Sequence, residues 1–396
     1  MLSRIVLRFV GAACLLSVLS APGCSVATPF PVASQNRAAV VVPKPTPDAP
    51  LPVPVVTLVG DPTKIGATHG RELHEQIKTL EEKYLNRRLG DQTHKMIAYT
   101  AASMFATKIP PAYMQEISAL AESSGLEQRT VLLAQCFLDL TNSIACATIA
   151  LPASASPDGV ARMGRNLDFP SMNIADKLSV VFVYHPGPEY QGAYEFVAIG
   201  WPGIIGVLSG MNEHGLTLAN MEVNRAPRFP SAMPYPLLYR TILEKCRTVD
   251  EAIALLESTP RQSANNLTLM DAAGNRAVAE IKPESIAVRR GVEGEPLLST
   301  NHQRDQDTDS TGRCWRYDSL RAASTESFGN IDVQKIESML AAAQQKNFTI
   351  QSMVFEPSRR VMYLAFGNNA ASTKFYRFDL NQHFTNPISV PVASAE

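Results

Sequence analysis

Beyond its opening two dozen residues, the 396-residue sequence has no run of the roughly 18 to 20 uninterrupted apolar residues that a transmembrane helix needs. It has no Cys-x-x-Cys spacing, and its seven histidines are scattered, which argues against a structural metal. No cofactor is expected. The formal net charge of -1 leaves no basic footprint, so nucleic acid is excluded as an expected partner. Cysteine is sparse as well: six residues, at 14, 24, 136, 146, 246 and 314, whose spacings form no compact disulfide framework even in an oxidising compartment. Cys136 and Cys246 read as buried thiols. The 45% hydrophobic content is enough to bury one large core or two smaller ones.

The N-terminus reads as a targeting segment, with Arg4 and Arg8 ahead of the apolar stretch Phe9 to Leu19 and the small residues Ser20 and Ala21. Residues 1–23 are set aside from the fold. The run Ala21-Pro22-Gly23-Cys24 resembles a bacterial lipoprotein cleavage site, with Ala where Leu is usual and Pro before the Gly. Two outcomes stay open, lipidation of Cys24 or conventional cleavage with Cys24 left free. From 24 to 55 closely spaced prolines (Pro43, Pro45, Pro47, Pro50, Pro52, Pro54) favour an extended tether. The expectation is an exported protein on the periplasmic face of the envelope, touching the membrane only through a lipid on Cys24.

Two pattern regimes follow. Between Thr57 and Leu140 apolar residues recur at three and four, clearest over Ile65 to Leu89 and Tyr113 to Ala121, where Gly125 stops the helix. From Cys146 strands dominate, at Leu178 to Tyr184, Leu216 to Met221, Asn266 to Met270, Ala277 to Ile281 and Val361 to Phe366, interrupted by helical stretches at Leu237 to Ser258 and Val333 to Gln345. Strands interleaved with paired helices predict an α+β fold of two stacked sheets with helices outside.

The chemistry gathers at Cys146. The alternation Ala147, Ile149, Leu151, the turn Ser156-Pro157-Asp158-Gly159, and Val160, Met163, Leu167 read as two short strands joined by a Pro-Asp-Gly turn. Pairing them brings Cys146 near Arg165 and Asp168 in Gly164-Arg165-Asn166-Leu167-Asp168. A cation beside a thiol favours the thiolate. The plainer readings are a small buried Cys and a strand-end ion pair worth under about 1 kcal/mol.

This stretch resembles the first strands of the cysteine N-terminal-nucleophile hydrolases, which include choloylglycine hydrolases, acid ceramidase-like amidases and isopenicillin N acyltransferase. The likeness extends over some 300 residues through Ile65-Gly66-Ala67-Thr68-His69-Gly70-Arg71-Glu72-Leu73, Pro110 to Ile117, Ala121 to Leu126, Gly210-Met211-Asn212-Glu213-His214-Gly215-Leu216, Asp271 to Asn275, Ser299-Thr300-Asn301-His302 and Met353 to Pro357. Each piece alone is an ordinary turn or helix; their order and spacing carry the resemblance. It implies a four-layer αββα sandwich over residues 146–396 preceded by an all-helical propeptide over 56–145. It also implies self-cleavage between Ala145 and Cys146. The α-amine of Cys146 freed in this way, with an ordinary pKa of about 7.7 to 8.0, then serves as general base.

The resemblance assigns Asp168 to hold that amine, Arg165 to face the thiolate and substrate, Asn301 to the oxyanion and Arg313 to a position near the nucleophile. Arg316 is its understudy, read as a solvated helix charge. Glu222 stands where choloylglycine hydrolases carry an oxyanion Asn, and an ionised Glu cannot donate; the acid ceramidase-like branch, with a Glu there, is the nearer resemblance. Ala145 replaces a frequent Gly. The expected activity is a self-processing cysteine amidase or acyltransferase opening a linear amide through a thioester on Cys146, with its own propeptide chain retained. A ligand-binding envelope lipoprotein that keeps the fold without catalysis is the rival. Ile199-Gly200-Trp201-Pro202-Gly203-Ile204-Ile205 reads as core, or else as an acyl-pocket wall.

Overall fold

A computed structural model of the chain describes residues 49–141, 145–223, 230–304 and 314–386. Cys24, Arg313 and the targeting segment lie outside them. The first element is a strand, β1 (Val55–Gly60). Helices α1 (Pro62–Glu72), α2 (His74–Thr79), α3 (Asn86–Leu89), α4 (Gln92–Ala106), α5 (Pro111–Ser124) and α6 (Gln128–Leu140) follow. A π-helical turn, Leu80–Leu85, joins α2 to α3. The Asp61 carboxylate caps α1 by accepting from the Lys64 N–H at 2.9 Å, with Pro62 in the first turn. Gly125, at φ 66°, ends α5 in the left-handed cap that glycine adopts freely.

Helices α1 and α5 meet backbone to backbone. A Cβ on Gly66 would strike the Glu116 carbonyl, and one on Gly70 the Ser123 hydroxyl and Leu120 carbonyl. The Gly66 and Gly70 spacing in the sequence is therefore a packing requirement.

Two sheets carry the rest. The first has the order β1, β4 (Val180–Pro186), β5 (Phe196–Gly200), β6 (Ser209–Asn212), β7 (Thr217–Glu222), β8 (Asn265–Met270), β9 (Arg276–Ile281), β10 (Ile286–Arg290). The second runs β11 (Leu297–Ser299), β2 (Ala145–Leu151), β3 (Arg162–Asp168), β12 (Thr349–Glu356), β13 (Val361–Phe366), β14 (Tyr376–Asp379). Their facing sides interdigitate through Val181, Val183, Val197, Ile199 and Met211 against Met163, Met353, Phe355 and Leu364. The outer face of the first sheet is covered by α1, α5, α6, α7 (Tyr235–Lys245) and α8 (Val249–Ser258). The outer face of the second is covered by α9 (Trp315–Glu326) and α10 (Val333–Ala342), with Leu320, Ile336, Met339 and Leu340 on Ala147, Ile149 and Val354. These four layers are the αββα sandwich.

The structure differs from expectation in three local places. The segment before Cys146 is helical from Pro62 on, but its β1 pairs parallel with β4, Val55 opposite Val181 through Gly60 opposite Pro186, and so extends the sheet of the following region. Leu51 and Val53, in the stretch read as a tether, pack against the inter-sheet core. The helical stretch Leu237 to Ser258 is two helices, because Thr248 caps α8 by accepting from the Glu251 N–H.

Candidate active site

The β2 and β3 register places Cys146 opposite Leu167 and Thr148 opposite Arg165. Alternation puts Cys146, Thr148 and Arg165 on the inter-sheet face, where Thr148 bonds Thr268 of the other sheet at 2.8 Å. Cys146 and Arg165 are both fully buried. Arg165 Nη2 is 3.4 Å from Cys146 Sγ, while Nη1 donates to the Leu208 carbonyl at 2.5 Å. Burial pushes the Cys146 thiol up, and the Arg165 charge pulls it back. The thiol is therefore held protonated beside a cation.

Asn301 ties three strands' ends together. Its Oδ1 accepts the Cys146 N–H at 2.8 Å, and its Nδ2 donates to the Glu222 carbonyl at 2.7 Å. Arg316, at the start of α9, is buried: Nη1 donates to the Cys146 carbonyl and sits 3.4 Å from Asp168, and Nη2 reaches Asn301 Oδ1 at 2.9 Å. The reading of Arg316 as a solvated helix charge is thus corrected. It lies in the site because α9 begins where the chain passes the end of β2.

Asp168 is placed near Cys146 by the hairpin, yet its carboxylate is held by other residues. Thr349 Oγ1 donates to Oδ1, and Gln345 Nε2 donates to Oδ2 at 2.7 Å. Burial pushes this carboxyl up, and those donors with Arg316 bring it partly back. The acceptor for the Cys146 N–H is Asn301, not Asp168. Thr349 is Asp168's register partner across a bulge in β12, a long-range pairing with no local motif. Sequence reasoning missed Thr349, Gln345 and the burial of Arg316 for that reason.

Next to Leu208, whose carbonyl holds Arg165, lies an apolar cavity of about 110 Å³, walled by Ile199, Trp201, Gly203, Ile204 and Leu208 on one side and Tyr84, Val131 and Phe137 on the other. The 199–204 stretch is thus a pocket wall, while Ile205 is core. Its backbone is held by the segment preceding Cys146. Gln135 donates to the Gly203 carbonyl at 2.8 Å and accepts from the Ile205 N–H at 2.9 Å, and His69 Nε2 accepts from the Gly203 N–H at 2.9 Å. Burial holds His69 neutral, at about 3, as an acceptor must be.

Curated relatives and solved structures align with parts of this chain. Dictyostelium discoideum dcd1A is 24% identical over 303 residues, 69% of this chain and 68% of that protein; dcd1B is 24% identical over 236 residues, 54% of this chain and 47% of that protein. A Caenorhabditis elegans ortholog of N-acylethanolamine-hydrolyzing acid amidase aligns with TM-score 0.43 and 17% identity over 54% of this chain and 93% of its own. Penicillin V acylase from Agrobacterium tumefaciens aligns with TM-score 0.44 and 14% identity over 60% of this chain and 86% of its own. The family model of acyl-coenzyme A:6-aminopenicillanic acid acyl-transferases matches residues 155–371, beginning just past Cys146 and taking in β3, Asn301 and Arg316. That match spans more than half of the sequence, and the chain belongs to this family, whose amidase and acyltransferase chemistry is the general kind of function it has.

Proposed function

We propose that the chain is a self-processing cysteine amidase or acyltransferase that takes an apolar acyl group from a linear amide onto Cys146. The observation that carries this reading is the buried thiol 3.4 Å from Arg165, its own N–H and carbonyl gripped by Asn301 and Arg316. A residue whose backbone is held on both sides by polar side chains is set up for chemistry at its own peptide bond. A structural cysteine needs neither grip. In the first stage Cys146 Sγ attacks the Ala145 carbonyl, the acyl group moves from nitrogen to sulfur, and water releases a chain that begins at Cys146. The freed amine then relays protons between thiol, leaving amine and water.

The cavity walls favour an apolar acyl chain over a polar one, since Glu81, Thr130 and Gln135 are the few polar residues among its lining. Half of the wall comes from residues before the cleavage point, so the N-terminal chain is expected to stay bound. Export and a lipid on Cys24 remain part of the proposal and rest on residues 1–55 alone.

The deciding experiment is denaturing mass spectrometry of purified wild type beside Cys146→Ala. A wild-type fragment whose N-terminus is Cys146, absent from the control, is the expected result. An intact chain in both would overturn self-processing and favour the ligand-binding lipoprotein.

A further inference from the structure

Resting on the reading of Cys146 as the nucleophile, we propose that Asn266 is a positioning residue: its side-chain amide clamps the turn that aims Asn301 at the Cys146 nitrogen.

That nitrogen is the atom that leaves in self-cleavage and then carries protons as a free amine. Its N–H is held by Asn301 Oδ1 at 2.8 Å. An amine turns freely about its bond to Cα unless one N–H is anchored, and its lone pair must face the thiol to take that proton. The anchor is only as good as its own footing. Asn301 stands on irregular chain, because the ladder of β11 with β2 stops at Ser299 opposite Thr148.

Asn266 supplies the footing. One nitrogen, Nδ2, donates to the Thr300 carbonyl at 2.8 Å and to the His302 carbonyl at 2.9 Å, the two carbonyls on either side of Asn301. Its partner in β7, Met221, directly precedes Glu222, whose carbonyl takes Asn301 Nδ2 at 2.7 Å. Downstream the segment is tied to β9, with Gln303 donating to the Ile281 carbonyl at 2.8 Å and the Arg304 N–H to Glu280 at 2.7 Å. Residue 301 is thus bracketed from the first sheet while its Oδ1 reaches β2 of the second. Thr268, two residues along β8 from Asn266, bonds Thr148 across the same gap, so Asn266 lies on the inter-sheet face that Cys146 shares.

The residue type carries the rest of the argument. Asn is a poor strand former, and a fully buried amide is costly unless its polar atoms are used. Here only the nitrogen is used, since Oδ1 has no partner among the described residues. A residue chosen for packing alone would be apolar, as Met221 opposite it is. Two donors on one uncharged atom are what the amide offers and what a hydroxyl or a carboxylate lacks.

The test compares the full-length wild type, Asn266→Ala, Asn301→Ala and the double variant. Mass spectrometry follows the fragment that begins at Cys146, and kcat and KM per cleaved chain are read with N-lauroyl aminomethylcoumarin as the probe amide. Asn266→Ala should melt lower, because two carbonyls lose their donor, and should cut both rates about 10- to 10²-fold with KM nearly unchanged. Because Asn266 acts through Asn301, adding Asn266→Ala to Asn301→Ala should slow neither rate by more than about twofold. Should Asn266→Ala fail to fold, Asn266→Ser, which keeps a hydroxyl at that position, takes its place in the same cycle. Losses that multiply in the double variant, or wild-type rates in the single one, would overturn the proposal while leaving Cys146 as nucleophile. A wild type that neither cleaves itself nor turns over the probe would overturn both.

Discussion

Two arginines, Arg165 and Arg240, are among the largest fully buried side chains of the described residues, and they are buried in opposite ways. Arg240 of α7 is matched by two carboxylates. Its Nη1 meets Glu116 and its Nε meets Glu244, both at 2.8 Å. Its guanidinium carbon lies 4.6 Å from the Tyr184 ring centre and 4.7 Å from that of Tyr113. Arg165 has a carbonyl and a thiol; each arginine leaves one nitrogen without a hydrogen-bond partner among the described residues, Nε in Arg165 and Nη2 in Arg240, so it is the counter-charge that differs. Burial drives Arg165 down, whereas at Arg240 the two carboxylates outweigh burial and drive it up. A charge saturated by permanent partners holds structure; one left short of counter-charge is available to an anion that forms during reaction.

The first way to break this comparison is at Glu116, which belongs to α5 and so joins the segment before Cys146 to α7. Glu116→Ala should cost about 2–4 kcal/mol in urea unfolding, because Arg240 keeps Glu244 but its Nη1 and the Tyr190 hydroxyl lose their buried acceptor. A loss under 1 kcal/mol would mean that Arg240 is not saturated.

Asp139 sharpens the comparison with an acid that has no cation beside it. It accepts from Ser263 at 2.6 Å, from Gln262 and from the Tyr235 N–H, yet burial of its carboxylate raises it from 3.8 to about 7. Below about pH 4 both folded and unfolded chains carry its proton. Between about 4 and 7 only the folded chain does, so stability falls as pH rises, and above 7 the loss is complete. Its limit is ~4 kcal/mol, each tenfold in acidity being worth about 1.4. Asp139→Asn should remove this slope, and melting curves from pH 4 to 8 read it directly; parallel curves for both proteins would refute it.

Arg165→Met should show the smallest effect on stability and a large one on function. Unfolding should shift by less than about 1 kcal/mol while self-cleavage slows by roughly 10²- to 10³-fold, the usual loss for a group that meets developing charge. Equal destabilisation by Arg165→Met and Glu116→Ala would erase the distinction.

How much of the site is legible in the sequence follows from sequence distance. The Cys146, Arg165 and Asp168 unit is readable because a hairpin is local and its alternation fixes which side chains share a face. Asn301 is readable only through the order of motifs. Arg316 misleads because its amphipathic surroundings on α9 look like any exposed helix start, and its partner atoms are 170 residues away in Cys146. Gln345 and Thr349 reach the site through elements whose sequence carries no chemical mark. The wall at 199–204 looks like core because it is apolar in either case; whether a neighbouring segment leaves a gap is decided by the helices opposite it.

The parallel pairing of β1 on β4 bears on how this chain comes to be made. Synthesis delivers the N-terminal strand well before its partner, so the outer edge of β4 is covered as soon as it forms. A polypeptide started at Cys146 would carry that edge bare, a row of unmatched amide and carbonyl groups open to any passing strand. The leading segment thus supplies in cis the strand that pairs β4, and the open edge of the sheet passes to β1 itself.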